Sequence, residues 1–431
     1  MSGNRSTVRI RGSLAIAAIA LILSFPTDVE AEGRGGSELV EAAGVRGGLI
    51  VHFGNDPALT AGLLVNDRYL VHGLYSAGVE KARKAVAAQG RYGRVSIAEF
   101  DGSSLPYCDS LVNMLVVDGP SPVDEREIMR VLAPRGIALI DGKKIAKPVP
   151  PDIDDWTHYL HGPDNNAVAH DYRVAPPYHT QWEGGPRWQR SHDFLASLSA
   201  LVSSEGKLFY IHDEGERSTI ASPAKWFLVA RDAFNGIVLW KRPIETWKSH
   251  FQKFRVGPVD LSRRLVAVDG KVYVTLGYGK PVSVLDAATG ETLLEYKETE
   301  GAHEIVVEGD VVYVSVVKES AEHLKLETEA LRARLYGRTS AQAKAAAARL
   351  GRTGPRTAAS YAGPERSVVA IDAETGDILW ERKKATEDLP AVALSRGRNP
   401  TNGAVVAESP GRTRSLVFEG MGLAQLDLLP G

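Results

Sequence analysis

Short apolar runs alternate with amphipathic stretches along the first third of the chain. Residues 48–53 (GLIVHF) form an unbroken apolar run ending at Gly54, the pattern of a buried strand. Residues 57–64 follow as a helix, with Asp56 as its cap and Pro57 in its first turn. Further strands are predicted at 69–71, 95–100, 111–117 and 136–140. Residues 77–89 have helical spacing and strong helix formers, stopped by Gly90. Residues 124–132 (DEREIMRVL) make a helix whose acidic first turn suits the helix dipole. Such alternation implies a parallel sheet covered on both faces, a Rossmann-like α/β domain over residues 37–147. Ligands of such sheets bind outside the carboxyl ends of the strands.

From residue 201 the pattern changes to period-two strands separated by glycine turns. DAFNGIVLW begins at Asp232, DAATGETLL at Asp286 and DAETGDILW at Asp372, each after an apolar strand. The aspartate can bond its own backbone and the glycine can take positive φ, so each pair brackets a tight turn. A second element recurs as GKLFYI from Gly206, GKVYVT from Gly270 and GDVVYVS from Gly309. The Gly270–Gly309 spacing is close to one four-stranded propeller blade of roughly 40–45 residues. An Ala-, Leu-, Arg- and Glu-rich insertion at 318–351 reads as a helical hairpin. After Leu394 the pattern decays, so 395–431 is expected to be an irregular tail and the propeller over 201–394 to be incomplete. The expectation is a truncated or frame-altered product of a longer propeller protein, because a ring usually needs about four to eight blades.

The chain ends and the composition narrow the class. Arg5, Arg9 and Arg11 precede an uncharged apolar run at 12–25, shorter than the ~20 residues of a membrane span. This reads as a secretory signal over 1–31, with an uncleaved anchor as the alternative, and implies an exported, periplasmic or envelope-associated protein. Lys plus Arg is 51 and Asp plus Glu 53, a net charge of -2, which gives no electrostatic case for nucleic acid. The single cysteine, Cys108, excludes an intramolecular disulfide.

Between the two halves, residues 148–200 read as a linker with a polar segment, DDWTHYLHGPDNNAVAHD, from Asp154. His158, His161 and His170, with Asp171 and the later His192 and Asp193, could ligate zinc or iron. They fit no ligand framework of fixed spacing, so a hydrogen-bonded structural segment is the first reading and a metal site the alternative. Trp156, Trp182 and Trp188 suggest a packed entry to the second half.

The stretch DGSSLPYCDSLVNMLVV from Asp101 and EIMRVLAPRG from Glu127 resemble class I S-adenosylmethionine-dependent methyltransferases over residues 47–142. The resemblance implies a cofactor site at Gly54, Asp56 and Asp101, with Asp101 beside the adenine. Several positions depart from the family pattern. His52 stands in the place of the first-strand acid, Asp56 and Ala58 replace glycines, Leu74 stands where a carboxylate would hold the ribose hydroxyls, and Arg135 replaces a turn glycine. The family's closing antiparallel strands are expected to be missing. The implied domain is therefore methyltransferase-like and non-catalytic.

The D-A-x-T-G repeat resembles the PQQ-type β-propeller repeat, which implies blade-packing rings at Trp240 and Trp380, with Leu294 departing from the pattern. The two modules joined in this order resemble exported proteins of planctomycete-type bacteria. The repeat does not bring its cofactor with it: one cysteine excludes a vicinal cystine, no string assigns calcium ligands, and PQQ and calcium are not expected. The reading is thus a multidomain, exported propeller protein that binds a protein or small molecule on its propeller face, with no transmembrane domain in the mature chain. Whether it is an enzyme stays open. The alternatives are a methyltransferase using S-adenosylmethionine and a PQQ-dependent quinoprotein oxidoreductase.

Overall fold

The computed structural model describes residues 35–102, 104–119, 121, 123–176, 180–185, 197–217, 223–245, 247, 259–317 and 366–383, and the backbone of 391–396, 406–409 and 412–419. The expected secretory signal over 1–31, the expected helical insertion at 318–351, Trp188, His192 and Asp193 lie outside the described residues.

The first module runs α1 (Gly36–Ala43), β1 (Gly48–Phe53), α2 (Pro57–Gly62), β2 (Tyr69–Tyr75), α3 (Val79–Ala88), β3 (Val95–Glu99), β4 (Val112–Val117), α4 (Glu125–Val131), β5 (Leu132–Ile140) and β6 (Lys143–Ala146). Its sheet has the order β3-β2-β1-β4-β5-β6. The first five strands are parallel and β6 is antiparallel to β5. Alternate residues of the apolar strands feed two cores. Ile50, Val71, Ile97 and Met114 pack under α1, α2 and α3, whereas Val51, Leu74, Leu115 and Val117 pack against Ile128 and Val131 of α4. The helices start where the side chains provide caps: Asp56 accepts from Ala58 N at 2.8 Å and Asp124 from Glu127 N at 2.8 Å.

Two sequence expectations change here. One closing antiparallel strand is present, β6, reached through an Asp141–Gly142 turn with both φ positive (48° and 73°), the I′ geometry of a tight hairpin. Strands β2 and β5 are longer than their apolar cores: β2 stays paired through Gly73, and β5 starts at Leu132 but shifts register against β4 before Ile137, with Arg135 at φ 68° in the shifted stretch.

The second module is built from three four-stranded antiparallel sheets, each folded in chain order. They are β7 (Leu198–Ser204) to β10 (Val238–Pro243), β11 (Leu265–Val268) to β14 (Thr292–Tyr296), and β15 (Ala302–Glu308) to β18 (Ile378–Lys383). These are three propeller blades stacked face to face. Val202, Phe209 and Trp240 of the first share a core with Leu265 and Val274 of the second. Val284 and Tyr296 of the second share one with Ile305, Val314 and Val369 of the third. Each D-A-x-x-G turn has the same build. Asp232, Asp286 and Asp372 each accept two backbone N–H groups of their own turn at 2.8–3.0 Å, and Gly236, Gly290 and Gly376 sit at φ 71°, 74° and 80°.

The expected irregular tail is corrected in part. Residues Ala391–Arg396, Val406–Ser409 and Arg412–Glu419 form β19, β20 and β21, a three-stranded antiparallel sheet with β21 in the middle. Alternation in LVFE and AVAL was enough for strands even without the repeat motif.

Candidate functional site

The strand order of the first sheet reverses between β1 and β4, so the crevice for a ligand lies outside Phe53 and Val117. Gly54, Asn55, Asp56 and Asp118 form the turns there. Asn55 Nδ2 donates to Ser76 Oγ at 3.0 Å, tying the turn after β1 to the turn after β2. Phe53 and Phe100 meet edge to face at 5.1 Å on the same rim.

The residues at this crevice are committed to the protein itself. His52, in the place of an acid, is fully buried, and its Nδ1 lies 2.7 Å from Thr60 Oγ1. Thr60 has one proton, which it donates to the Asp56 carbonyl at 2.9 Å, so its lone pairs accept Tyr75 O–H (2.6 Å) and His52 Nδ1–H. The bare nitrogen is then Nε2, which is buried without a hydrogen-bond partner among the described residues. A Cβ built on Gly54 would lie 2.7 Å from that Nε2 and 2.9 Å from Asp118 Cβ. The imidazole therefore fills the space beneath the glycine turn. Burial lowers the His52 pKa to about 4, against the pull of Asp118 and Asp56, so the ring is neutral at pH 7. Leu74 is 2% exposed and belongs to the core beneath the crevice. Asp56 serves as the α2 cap and Asp101 sits in the exposed loop beyond β3. The crevice thus differs from what the methyltransferase resemblance implies: Leu74 stands where that resemblance expects a carboxylate, and the turn glycine rests on an imidazole.

The three histidines named as metal candidates have structural partners. His158 Nε2 accepts from Val307 N at 3.1 Å, which puts its proton on Nδ1, 2.8 Å from Thr157 Oγ1. Burial lowers its pKa to about 3. His161 Nε2 meets Asp154 Oδ2 at 2.6 Å, and the same carboxylate oxygen accepts His170 N at 2.7 Å. The His161 ring contacts Trp156 and His170 edge to face. This segment thus pins the linker to β15. Among the described residues no group of three His, Cys, Asp or Glu side chains converges as metal ligands would.

The blade seams hold residues that sequence reasoning assigned only in part. Trp240 Nε1 donates to Ala287 O at 3.1 Å, and its ring lies over Gly290 of the next blade's turn. Leu294 departs from the tryptophan pattern, but Tyr296, two residues on, does the same work. Its hydroxyl donates to Ala373 O at 2.9 Å and its ring lies over Gly376. Trp182, from the linker, takes the seat on the first blade, donating to Ala233 O at 3.0 Å with its ring over Gly236. A ring followed by a D-A-x-x-G turn is the signal, provided tyrosine and linker residues are admitted.

The two modules meet at the amino-terminal edge of the sheet, opposite the crevice. Asn113 is the hub. Its Oδ1 accepts Leu49 N (2.7 Å) and Asn235 Nδ2 (2.6 Å), and its Nδ2 donates to Asp232 Oδ2 at 2.6 Å. Arg46 pairs with Asp286 at 3.1 Å. Between them lies a cavity of about 360 Å³, lined by Arg46, Arg135, Lys207, Asp232 and Asp286 among others. Burial raises the Asp232 pKa and lowers that of Lys207.

Residues 150–331 match a PQQ-repeat family model described as outer membrane protein assembly factor BamB. No curated protein matches the chain in sequence. A structure from Methanococcus maripaludis assigned as an S-adenosyl-L-methionine-dependent methyltransferase is 24% identical over 24% of this chain and 52% of its own, with TM-score 0.23. A SAM-dependent methyltransferase from Aquifex aeolicus is 15% identical over 24% of this chain and 62% of its own, with TM-score 0.22. A europium-containing methanol dehydrogenase is 13% identical over 53% of this chain and 32% of its own, with TM-score 0.31. The chain thus spans about half the length of the first methyltransferase and a third of the dehydrogenase. Strand order and turn geometry carry the fold assignment: a methyltransferase-like sheet followed by PQQ-like propeller blades.

Proposed function

We propose that this chain is an exported binding or scaffold protein, in which PQQ-like blades present a protein- or small-molecule-binding face and the methyltransferase-like sheet is a structural module. The observation that supports the reading is the crevice at β1 and β4, where His52 fills the space under Gly54 and Leu74 is buried where the methyltransferase resemblance would have a carboxylate. Export rests on the basic residues Arg5, Arg9 and Arg11 before the apolar run at 12–25. Among the described residues no helix is long and apolar enough to cross a membrane.

Calorimetric titration of S-adenosylmethionine into the folded full chain tests the reading. No heat at millimolar ligand is the expected result. Micromolar binding that Asp101→Ala weakens would overturn it and make the chain a methyltransferase. A quinone absorbance band on reconstitution with PQQ and calcium would instead make it a quinoprotein.

A further inference from the structure

We propose that the cavity between the two modules is a binding site for a small monocarboxylate, whose anionic head lies between Arg135 and Lys207 and whose apolar body rests against Phe234 and Leu239. The cavity, about 360 Å³, is walled by turns of both modules. That is the small end of the roughly 300–1,000 Å³ range of ligand pockets. The charges that line it are not all spent on the protein. Arg46 is paired with Asp286, whose other oxygen accepts Ala288 N and Thr289 N of its own turn. Asp232 stands across the ladder from Lys207, but its oxygens accept from Asn113, Phe234 and Asn235. Lys207 Nζ is left with the Glu205 carbonyl at 3.4 Å and the Glu205 carboxylate at 4.0 Å, both longer than an ordinary N–H···O bond. Its side chain is only 22% exposed, so water makes up little of the deficit.

Arg135 is the second unspent cation. It sits at φ 68°, where L side chains are strained and where the methyltransferase resemblance expects glycine. The backbone is held there from both sides: Arg135 N donates to Lys147 O at 3.0 Å, and Lys147 N donates to Gly136 O at 2.9 Å. Asp141, Glu205 and Asp269 also have positive φ, but each opens a two-residue hairpin turn completed by a glycine of positive φ. Arg135 belongs to no such turn. Its side chain is exposed at the cavity wall, and among the described residues its guanidinium has no hydrogen-bond or ion-pair partner. Burial lowers the Lys207 pKa against the pull of Glu205, and the Arg135 charge adds to the lowering. Two cations that repel each other across a cavity are relieved by an anion between them. A strained backbone position that carries a long cationic side chain fits a residue kept for a ligand.

The rest of the lining selects the class of anion. Val45, Pro134, Phe234 and Leu239 give the cavity an apolar wall. Glu205, Asp232 and Asp286 bring negative charge close by, which disfavours a multiply charged ligand such as phosphate. A monocarboxylate with a hydrocarbon body meets both conditions. The cavity lies at the sheet edge opposite the crevice, so the inference does not rest on how the crevice is read.

Calorimetric titration of hydrocinnamate into the full chain tests it, beside the neutral amide of the same acid and inorganic phosphate. The carboxylate should bind with a submillimolar Kd, the amide roughly tenfold more weakly, and phosphate should give no heat. Lys207→Gln and Arg135→Gly should each weaken the carboxylate roughly tenfold. Arg135→Gly should also leave the melting temperature of the unliganded chain unchanged or raised, because glycine removes the strain at positive φ. A lower melting temperature would assign the Arg135 side chain to the fold and overturn the proposal. No heat from the carboxylate at millimolar concentration, equal binding of the amide, phosphate binding in its place, or unchanged affinity in either variant would also overturn it.

Discussion

Two buried neutral histidines make both modules acid-sensitive by a predictable amount. His52 has its pKa lowered from 6.5 to about 4 and His158 from 6.5 to about 3, each chiefly by burial. In the unfolded chain both rings return to the ordinary value. Between pH 6.5 and the folded pKa the unfolded state therefore binds more protons, and stability falls as pH falls. The slope is about 1.4 kcal/mol per pH unit for each ring. By pH 5 each histidine has cost about 2 kcal/mol relative to pH 8. The two act in different places, because His52 lies in β1 and His158 is bonded to Val307 in β15. Amide hydrogen exchange of peptides covering β1 and β15, followed from pH 8 to pH 5, reads the two opening free energies separately. His52→Gln should flatten the pH dependence in the β1 peptide and leave β15 unchanged, and His158→Gln should do the reverse. Slow exchange at the imidazole C2 position reports each ring's titration directly. A His52 ring titrating near 6.5, or a His52→Gln chain with the wild-type slope in β1, would refute the reasoning.

Two further outcomes follow from the contacts. Tyr296→Phe removes one hydrogen bond to Ala373 O and should cost about 1 kcal/mol in thermal unfolding, while Tyr296→Trp should be tolerated because the neighbouring seats hold that ring. Asn113→Leu leaves Leu49 N and Asp232 without the partner that joins the modules, at a cost of about 2–3 kcal/mol. Limited proteolysis should then cut within the 148–200 linker faster, with each module still folded.

Much of the fold can be read from the sequence because its signals are local. Alternating apolar runs mark the parallel strands, Asp56 and Asp124 cap their helices, and D-A-x-x-G turns mark the blades. The Asp141–Gly142 hairpin was equally local, but the polar KKIA after it hides a strand exposed at the sheet edge. The first-strand departure at His52 was legible as a substitution. That its ring would fill the space beneath Gly54, bonded to Thr60 and through it to Tyr75, depends on residues brought together by the βαβ crossover. The Tyr296 seat was missed because the repeat's own text pointed to Leu294, and the ring's target lies 77 residues further on. The joint at Asn113 has no local signature at all. Its partners Asp232 and Asn235 stand 119 and 122 positions away, and both already have roles in their own turn.

The order of the seam residues bears on how the molecule is made. Trp182 precedes Gly236, Trp240 precedes Gly290 and Tyr296 precedes Gly376, so each anchor leaves the ribosome before the turn it receives. A blade emerging from the exit tunnel therefore meets an anchoring ring that has already been made. The stack can thus zip in the direction of translation, one blade at a time, and this limits how long any unpaired strand is left open to aggregation.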